Sequence, residues 1–218
     1  MYPDQESALH IDHRKEAVKA FCEECVWARA IRTHFAQLFE SGETRHRLMA
    51  EVAKTFFHDL NVVLIEYVLL QQCKLTDPAS SGVEKFNLTT NYILSLNWSD
   101  ETRELLANRE LLEFRAKVND ARRKLVAHSD LRSRLQLVAL GKFTEADENE
   151  FWSALQRFVD AAHTEAYGGP FEITDVMPDG DVASLIHNLI DAVDYNDLAK
   201  QENGFITSRI GKKRYPDE

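Results

Sequence analysis

Along most of the chain the apolar residues return every three or four positions, and nowhere do they alternate at period two over the length of a strand. A helix with one apolar stripe must hide that stripe, and a chain written in this period does so by packing helix on helix. The expectation is an all-α fold, a bundle of four to six helices with a C-terminal amphipathic helix. With 218 residues, 44% of them hydrophobic, the chain can bury a proper core without staples.

The spacing predicts a first helix over about 11–39, with Ala17, Phe21, Ala28, Ile31, Phe35 and Leu38 on one side and Ser41-Gly42 as its stop. A second, over about 44–74, carries Phe56, Leu60, Val63, Leu64, Tyr67, Val68 and Leu70 and is apolar enough for the centre of a bundle. Thr76-Asp77-Pro78 ends it, because proline disfavours helix in the residue before it. Residues 79–85 read as a loop and 87–96 as a short helix. Ser99 or Asp100 then caps a fourth helix over about 101–128, and Thr144 caps a fifth that runs to about 167. After Gly168-Gly169-Pro170 an irregular stretch leads to a last helix with Val182, Leu185, Ile186, Leu189, Ile190 and Val193 on one face. The organisation expected is a bundle over 1–167, an extension over 168–199 whose helix packs on it, and a loose tail over 200–218.

Three cysteines, Cys22, Cys25 and Cys73, are an odd number, and Met1-Tyr2-Pro3-Asp4-Gln5-Glu6 carries acids where a signal peptide needs bases and an apolar run. A cytoplasmic, reducing location is expected. The longest apolar run, 62–70, is interrupted by Glu66 and is too short to cross a bilayer.

The net charge of −10 argues against general affinity for nucleic acid, which cationic side chains drive. The charge is unevenly distributed, however. Over 115–134 seven bases stand against the two acids Asp120 and Asp130, whereas over 143–202 fourteen acids stand against Arg157 and Lys200. The bland reading of such a basic run is a solvated helix face.

Inside the basic island stands Ala121-Arg122-Arg123-Lys124-Leu125-Val126-Ala127-His128-Ser129. Arginine is permanently cationic and grips phosphate in two places, and histidine gives and takes protons near neutral pH. On an ideal helix Leu111, Phe114, Val118, Ala121 and Leu125 form one apolar stripe, and Arg122 and His128 flank it, about 120° apart. Two copies packed about a two-fold axis would bring the Arg edge of one against the His edge of the other. Cleaving RNA through its own 2′-hydroxyl needs a base and an acid, and a homodimer supplies two imidazoles and their cations in one cleft. Arg122 would stabilise the charge of the transition state. The alternative is an exposed helix-terminal His at the negative end of the helix dipole, among solvated cations.

Lys74-Leu75-Thr76-Asp77-Pro78 after a long apolar helix, then Asn87-Leu88-Thr89, then the run from Asn119 to Asp130, together resemble the HEPN domains of the AbiU-type abortive-infection family over about 26–193. The resemblance implies a HEPN-type helical bundle, a homodimer with its cleft at the interface, and metal-independent endoribonuclease activity in phage defence or as a toxin. By position it makes Arg122 the motif Arg and His128 the motif His, with Arg123, Lys124 and Arg115 as RNA-binding candidates. The partners implied are RNA, a second copy of the chain, and an antitoxin or other defence-system protein. No cofactor and no metal are expected. Two positions depart from the pattern. Arg123 stands where HEPN proteins usually carry a small polar residue, and Asp130 stands where toxins silenced by a nucleotidyltransferase carry Tyr. The alternatives to an enzyme are a non-catalytic module that binds RNA or protein in the same cleft, and a regulatory subunit that docks through its acidic segment.

Other constellations read as structural. Cys22-x-x-Cys25 has no second pair, His10-x-x-His13 lies near the start of the chain, and Glu43-x-x-His46 is a single motif where a di-iron bundle needs two. Packed thiols are expected at the cysteines. Glu66 is expected to be partly exposed or structurally bonded, and Trp27, Trp98 and Trp152 to pack in the core rather than stack bases.

Overall fold

A computed structural model describes residues 13–82, 85–122, 143–174 and 181–202; of 81, 120–122 and 198–202 it describes the backbone alone. In chain order come α1 (His13–Phe39), α2 (Glu43–Leu75), the short strands β1 (Ser80–Gly82) and β2 (Lys85–Phe86), α3 (Thr90–Leu94), α4 (Asp100–Leu105), α5 (Arg109–Arg122), α6 (Glu145–Tyr167) and α7 (Val182–Glu202). The fold is all-α, as the periodicity requires.

The described residues group into two compact units, one within Met1–Arg32 and Leu64–Asp175, the other within Thr33–Val63 and Val176–Glu218. The core of the first is built on α6. Phe151, Leu155, Phe158, Val159 and Ala162 recur at three- and four-residue steps and are all at least 99% buried. Val18, Phe21, Cys22 and Cys25 of α1, Leu69 and Cys73 of α2, and Leu111, Phe114 and Val118 of α5 join them in one cluster. The rings interlock edge to face or tilted, Phe21 with Phe158 at 5.9 Å and Phe114 with Phe151 at 4.7 Å.

Polar groups inside this unit are bonded where they are charged. Arg32 holds Glu148 through two parallel bonds, Nε to Oε1 at 2.6 Å and Nη2 to Oε2 at 2.9 Å, and Gln72 donates to the same Oε1 at 2.7 Å. A carboxylate with only 10% of its side chain exposed requires such a set, because an uncompensated charge there costs several kcal/mol (roughly 3–5). Glu165 accepts from Arg14 at 2.8 Å and from the hydroxyl of Ser99 at 2.8 Å, and Ser99 in turn caps α4 by accepting from the amide of Thr102. Thr144 and Asp147 form the reciprocal capping box that starts α6, and Gly168, at φ +90°, ends it in the left-handed region that favours glycine.

Several expectations are corrected here. Where a loop was expected over 79–85, β1 and β2 pair antiparallel, Ser80 opposite Phe86 and Gly82 opposite Lys85. They are too short for alternation to register. The short helix is five residues, started by Thr89, whose side chain accepts from the amide of Tyr92. The single helix expected over 101–128 is broken: Leu106 and Ala107 close α4 with bonds to Thr102 and Glu104, and a new helix begins when Leu112 bonds the carbonyl of Asn108. The Asn108 side chain leaves the helix axis to donate to Asn91 Oδ1 at 3.1 Å, a competition that Asn offers and most residues cannot.

In the second unit Phe35, Leu38, Met49, Phe57, Val182 and Ile186 are buried. Gly42, at φ +96°, follows α1 where Ser41-Gly42 was expected to stop it. α2 leaves helical angles at Ala53 (φ −159°, ψ 69°), with no glycine or proline to mark the place. α2, read as apolar enough for the centre of a bundle, buries Val68 but leaves Phe56 and Val63 61% and 60% exposed. Asp181 starts α7 by accepting from the amide of Ser184 at 2.9 Å.

Replacing Glu148 by Ala breaks the buried pair with Arg32 and is expected to lower the unfolding free energy by about 3 kcal/mol. Glu150→Ala removes a pair in which both side chains are more than half exposed and changes it by less than about 1 kcal/mol. Urea unfolding of the two variants, read as a midpoint shift at constant slope, checks the difference.

Candidate functional site

α5 carries the basic island toward the Arg–His motif, and one packed face and two ion pairs fix its course. Its apolar stripe, Leu111, Phe114 and Val118, is 97–100% buried, and Phe114 packs on Phe151 of α6 and on Phe143. On one flank Arg115 donates from Nη2 to Asp77 Oδ1 at 2.8 Å, just past the end of α2. On the other Lys117 donates to Asp147 Oδ1 at 2.5 Å, at the start of α6. Two residues apart on a helix means about 200°, so the two ion pairs grip opposite sides with the buried stripe between them. A helix held in this way cannot roll without breaking one of them.

Asp147 shows how firm the second grip is. The hydrogen bond from Lys117 first, and those from the amide and hydroxyl of Thr144 next, hold its carboxyl at about 2, below the ordinary 3.8. The Arg115 guanidinium is a quarter exposed, and its Nε is buried without a partner among the described residues. The turn that holds Arg115 is itself braced, since Asn91 donates to the carbonyls of Thr76 and Asp77 and accepts from Asn108. Asp77, Asn91, Asn108 and Asp147 therefore position α5, and the sequence reading singled out none of them for this. Asp77 had the signal of a helix stop, and Asp147 lies three residues after the Thr144 cap, but their partners lie 38 and 30 residues away.

Arg122 is the last residue of α5, and its backbone is helical. It lies seven residues after Arg115, which on an ideal helix is about 10 Å further along and within about 20° of the same direction. The two belong to one side of the helix. Arg123, Lys124 and His128 lie outside the described residues.

The remaining sequence candidates fall as follows. Cys22, Cys25 and Cys73 are buried thiols. Burial chiefly, with Glu23 and Asp160 adding, pushes the Cys22 thiol up to about 12, and burial pushes Cys25 well above its ordinary value, so neither offers the thiolate that metal or redox chemistry needs. His13 bonds the Tyr92 hydroxyl and His46 the Phe39 carbonyl, each at 2.8 Å. Glu66 is half-buried. Trp98 and Trp152 are core residues, as expected, but Trp27 is not: half of it is exposed. Among the described residues no group of three or more His, Cys, Asp or Glu could hold a metal ion, and no helix is long and apolar enough to cross a membrane.

The model of a HEPN family described as AbiU2 matches residues 11–201. The chain belongs to the AbiU2 family of HEPN domains. Arg122, His128 and the clamp on α5 all fall inside the matched span, as do both compact units over most of their length. No curated protein and no solved structure gives a match. As an AbiU2-family HEPN domain the chain has an abortive-infection-related role, as a nuclease or as a binding module.

The clamp carries a pH signature. The folded value of Asp147 lies below its ordinary value, so its ionised form stabilises the fold above pH ~4, and that stabilisation is lost as pH falls through about 2. Asp147→Asn is expected to lower the melting temperature at pH 7, with the gap to wild type closing between pH 4 and pH 2. A gap independent of pH would mean that the carboxylate charge does not hold α5.

Proposed function

We propose that this AbiU2-family protein is a metal-independent endoribonuclease that cleaves RNA through the 2′-hydroxyl at a homodimer cleft, acting in phage defence or as a toxin. The observation that carries the reading is the family match over 11–201. It encloses an Arg and a His six positions apart inside the one strongly basic stretch of an acidic chain. The rigid mounting of α5 supports it further, because a reacting pair must be held in place before the transition state forms.

In this reading His128 of one protomer takes the 2′-hydroxyl proton while His128 of the other gives a proton to the departing 5′-oxygen. Arg122 stabilises the phosphorane-like transition state, and the product is a 2′,3′-cyclic phosphate. Arg123 and Lys124 hold flanking phosphates, while Arg115, bonded to Asp77, keeps α5 in place. Phe56 and Val63, seven apart on α2 and both about 60% exposed, support a partner chain, since apolar groups of that size gain from being covered. An antitoxin or other defence-system protein is the further partner proposed.

The test is incubation of the purified protein with RNA in EDTA. Cleavage is expected, with cyclic phosphate ends, a loss of activity in His128→Ala, and a fall of about 10²–10³-fold in Arg122→Ala. Lys124→Ala is expected to weaken RNA binding evenly across sequences and to reduce the salt slope of log K by about 1. Light scattering should give a dimer for all of them. Wild type and His128→Ala that bind RNA equally without cutting it would make the protein a binding module instead.

A further inference from the structure

A pocket of about 670 Å³ opens in the first unit between α1 and the end of α6, walled by Trp27, His163, Tyr167 and Phe171 with Cys22 and Ala30 beneath. That volume is in the usual range for small-molecule sites, about 300–1,000 Å³. Trp27 and Tyr167 are 50% and 43% exposed, yet neither ring is loose. The Trp27 indole donates to the Tyr67 hydroxyl at 3.1 Å, and the Tyr167 hydroxyl donates to the Lys15 carbonyl at 2.8 Å. His163 stacks on Tyr167 at 4.7 Å and 21°, and lies 5.1 Å from Phe171. Phe171 is tied back to α6 by its own amide, which donates to Asp160 at 3.1 Å, and by its carbonyl, which accepts from Gln156 at 2.8 Å. Aromatic surface that is both uncovered and fixed is the arrangement that binds a flat ligand at low ordering cost.

The polar content of the pocket defines the ligand. His163 Nδ1 meets the Gly169 carbonyl at 2.6 Å, and a carbonyl only accepts, so Nδ1 carries a proton and Nε2 of the neutral ring is an acceptor. Nothing among the described residues donates to it. Lys19 and Glu23 at the rim are one charge of each sign, so a phosphate finds no cationic cluster. The Cys22 thiol is kept protonated by burial, which leaves that wall neutral.

We propose that this pocket binds a neutral, planar aromatic small molecule bearing one N–H or O–H donor, its ring on Trp27 and its donor on Nε2 of His163. The site is independent of the ribonuclease reading and of the dimer.

Indole and 1-methylindole, which share the ring but not the donor, are the probes, titrated calorimetrically into the full chain. Saturable one-to-one binding is expected, about tenfold tighter for indole, the size of one net hydrogen bond. His163→Phe keeps an aromatic ring and removes the acceptor, so the two probes should then bind alike. Trp27→Ala, at a half-exposed position, and Ala30→Trp, which fills the pocket, should each weaken both probes at least tenfold while circular dichroism stays that of wild type. No saturable binding of indole to wild type, or binding unchanged in both Trp27→Ala and Ala30→Trp, overturns the site. Equal affinity of wild type for the two probes overturns the donor on His163.

Discussion

Burial of one face of α6 is the constraint on which the first unit depends. Phe151, Leu155, Phe158, Val159 and Ala162 can leave water only if other helices supply apolar faces, and α1, α2 and α5 do so. Once that face is covered, the polar residues on its borders are placed as well. Asp147 meets Lys117, Glu148 meets Arg32 and Gln72, and Glu165 meets Arg14 and Ser99. The same helix therefore carries the core, the clamp on α5 and, through His163 and Tyr167, a wall of the aromatic pocket.

This changes the meaning of the acidic segment. As a run of charge over 143–202 it suggests a docking surface, but several of its acids are engaged inside the first unit. Glu148 is buried with its ion pair, Asp160 accepts from the amide of Phe171 and from Gln156, and Asp147 accepts from a base of the positive island itself. Segregation of charge along the sequence is here, in part, complementarity between neighbouring helices. The bonds with the least exposed partners matter most, since exposed pairs such as Arg157 with Glu150 contribute little.

Much of the helix order was legible because helix period, caps and stops are local. Ser41-Gly42, Ser99, Thr144 and Gly168 act where local rules put them. The errors arose where a distant partner decided. Asn108 breaks a continuous helical pattern because Asn91 is there to accept from its side chain. Trp27 lies open because its indole is held by Tyr67, forty residues on, and Phe56 and Val63 lie open although their spacing is that of a buried stripe. Of the site, the stripe on α5 was legible and the pairs that clamp it were not. The residues of the motif beyond Arg122 fall outside the described structure, so their reading still rests on the family and on their chemistry.

The sequence by itself determined that the chain is helical, where most of its helices start and stop, and which face of α5 turns inward. Those properties depend on residues within a few turns of one another. The tertiary structure alone decided that Asp77 and Asp147 hold α5 by opposite sides, that Glu148 is a buried ion-pair partner, and that Trp27 walls a pocket. Each of these needs two groups far apart in the chain to be brought within hydrogen-bond or van der Waals distance, and only the packed fold sets such distances.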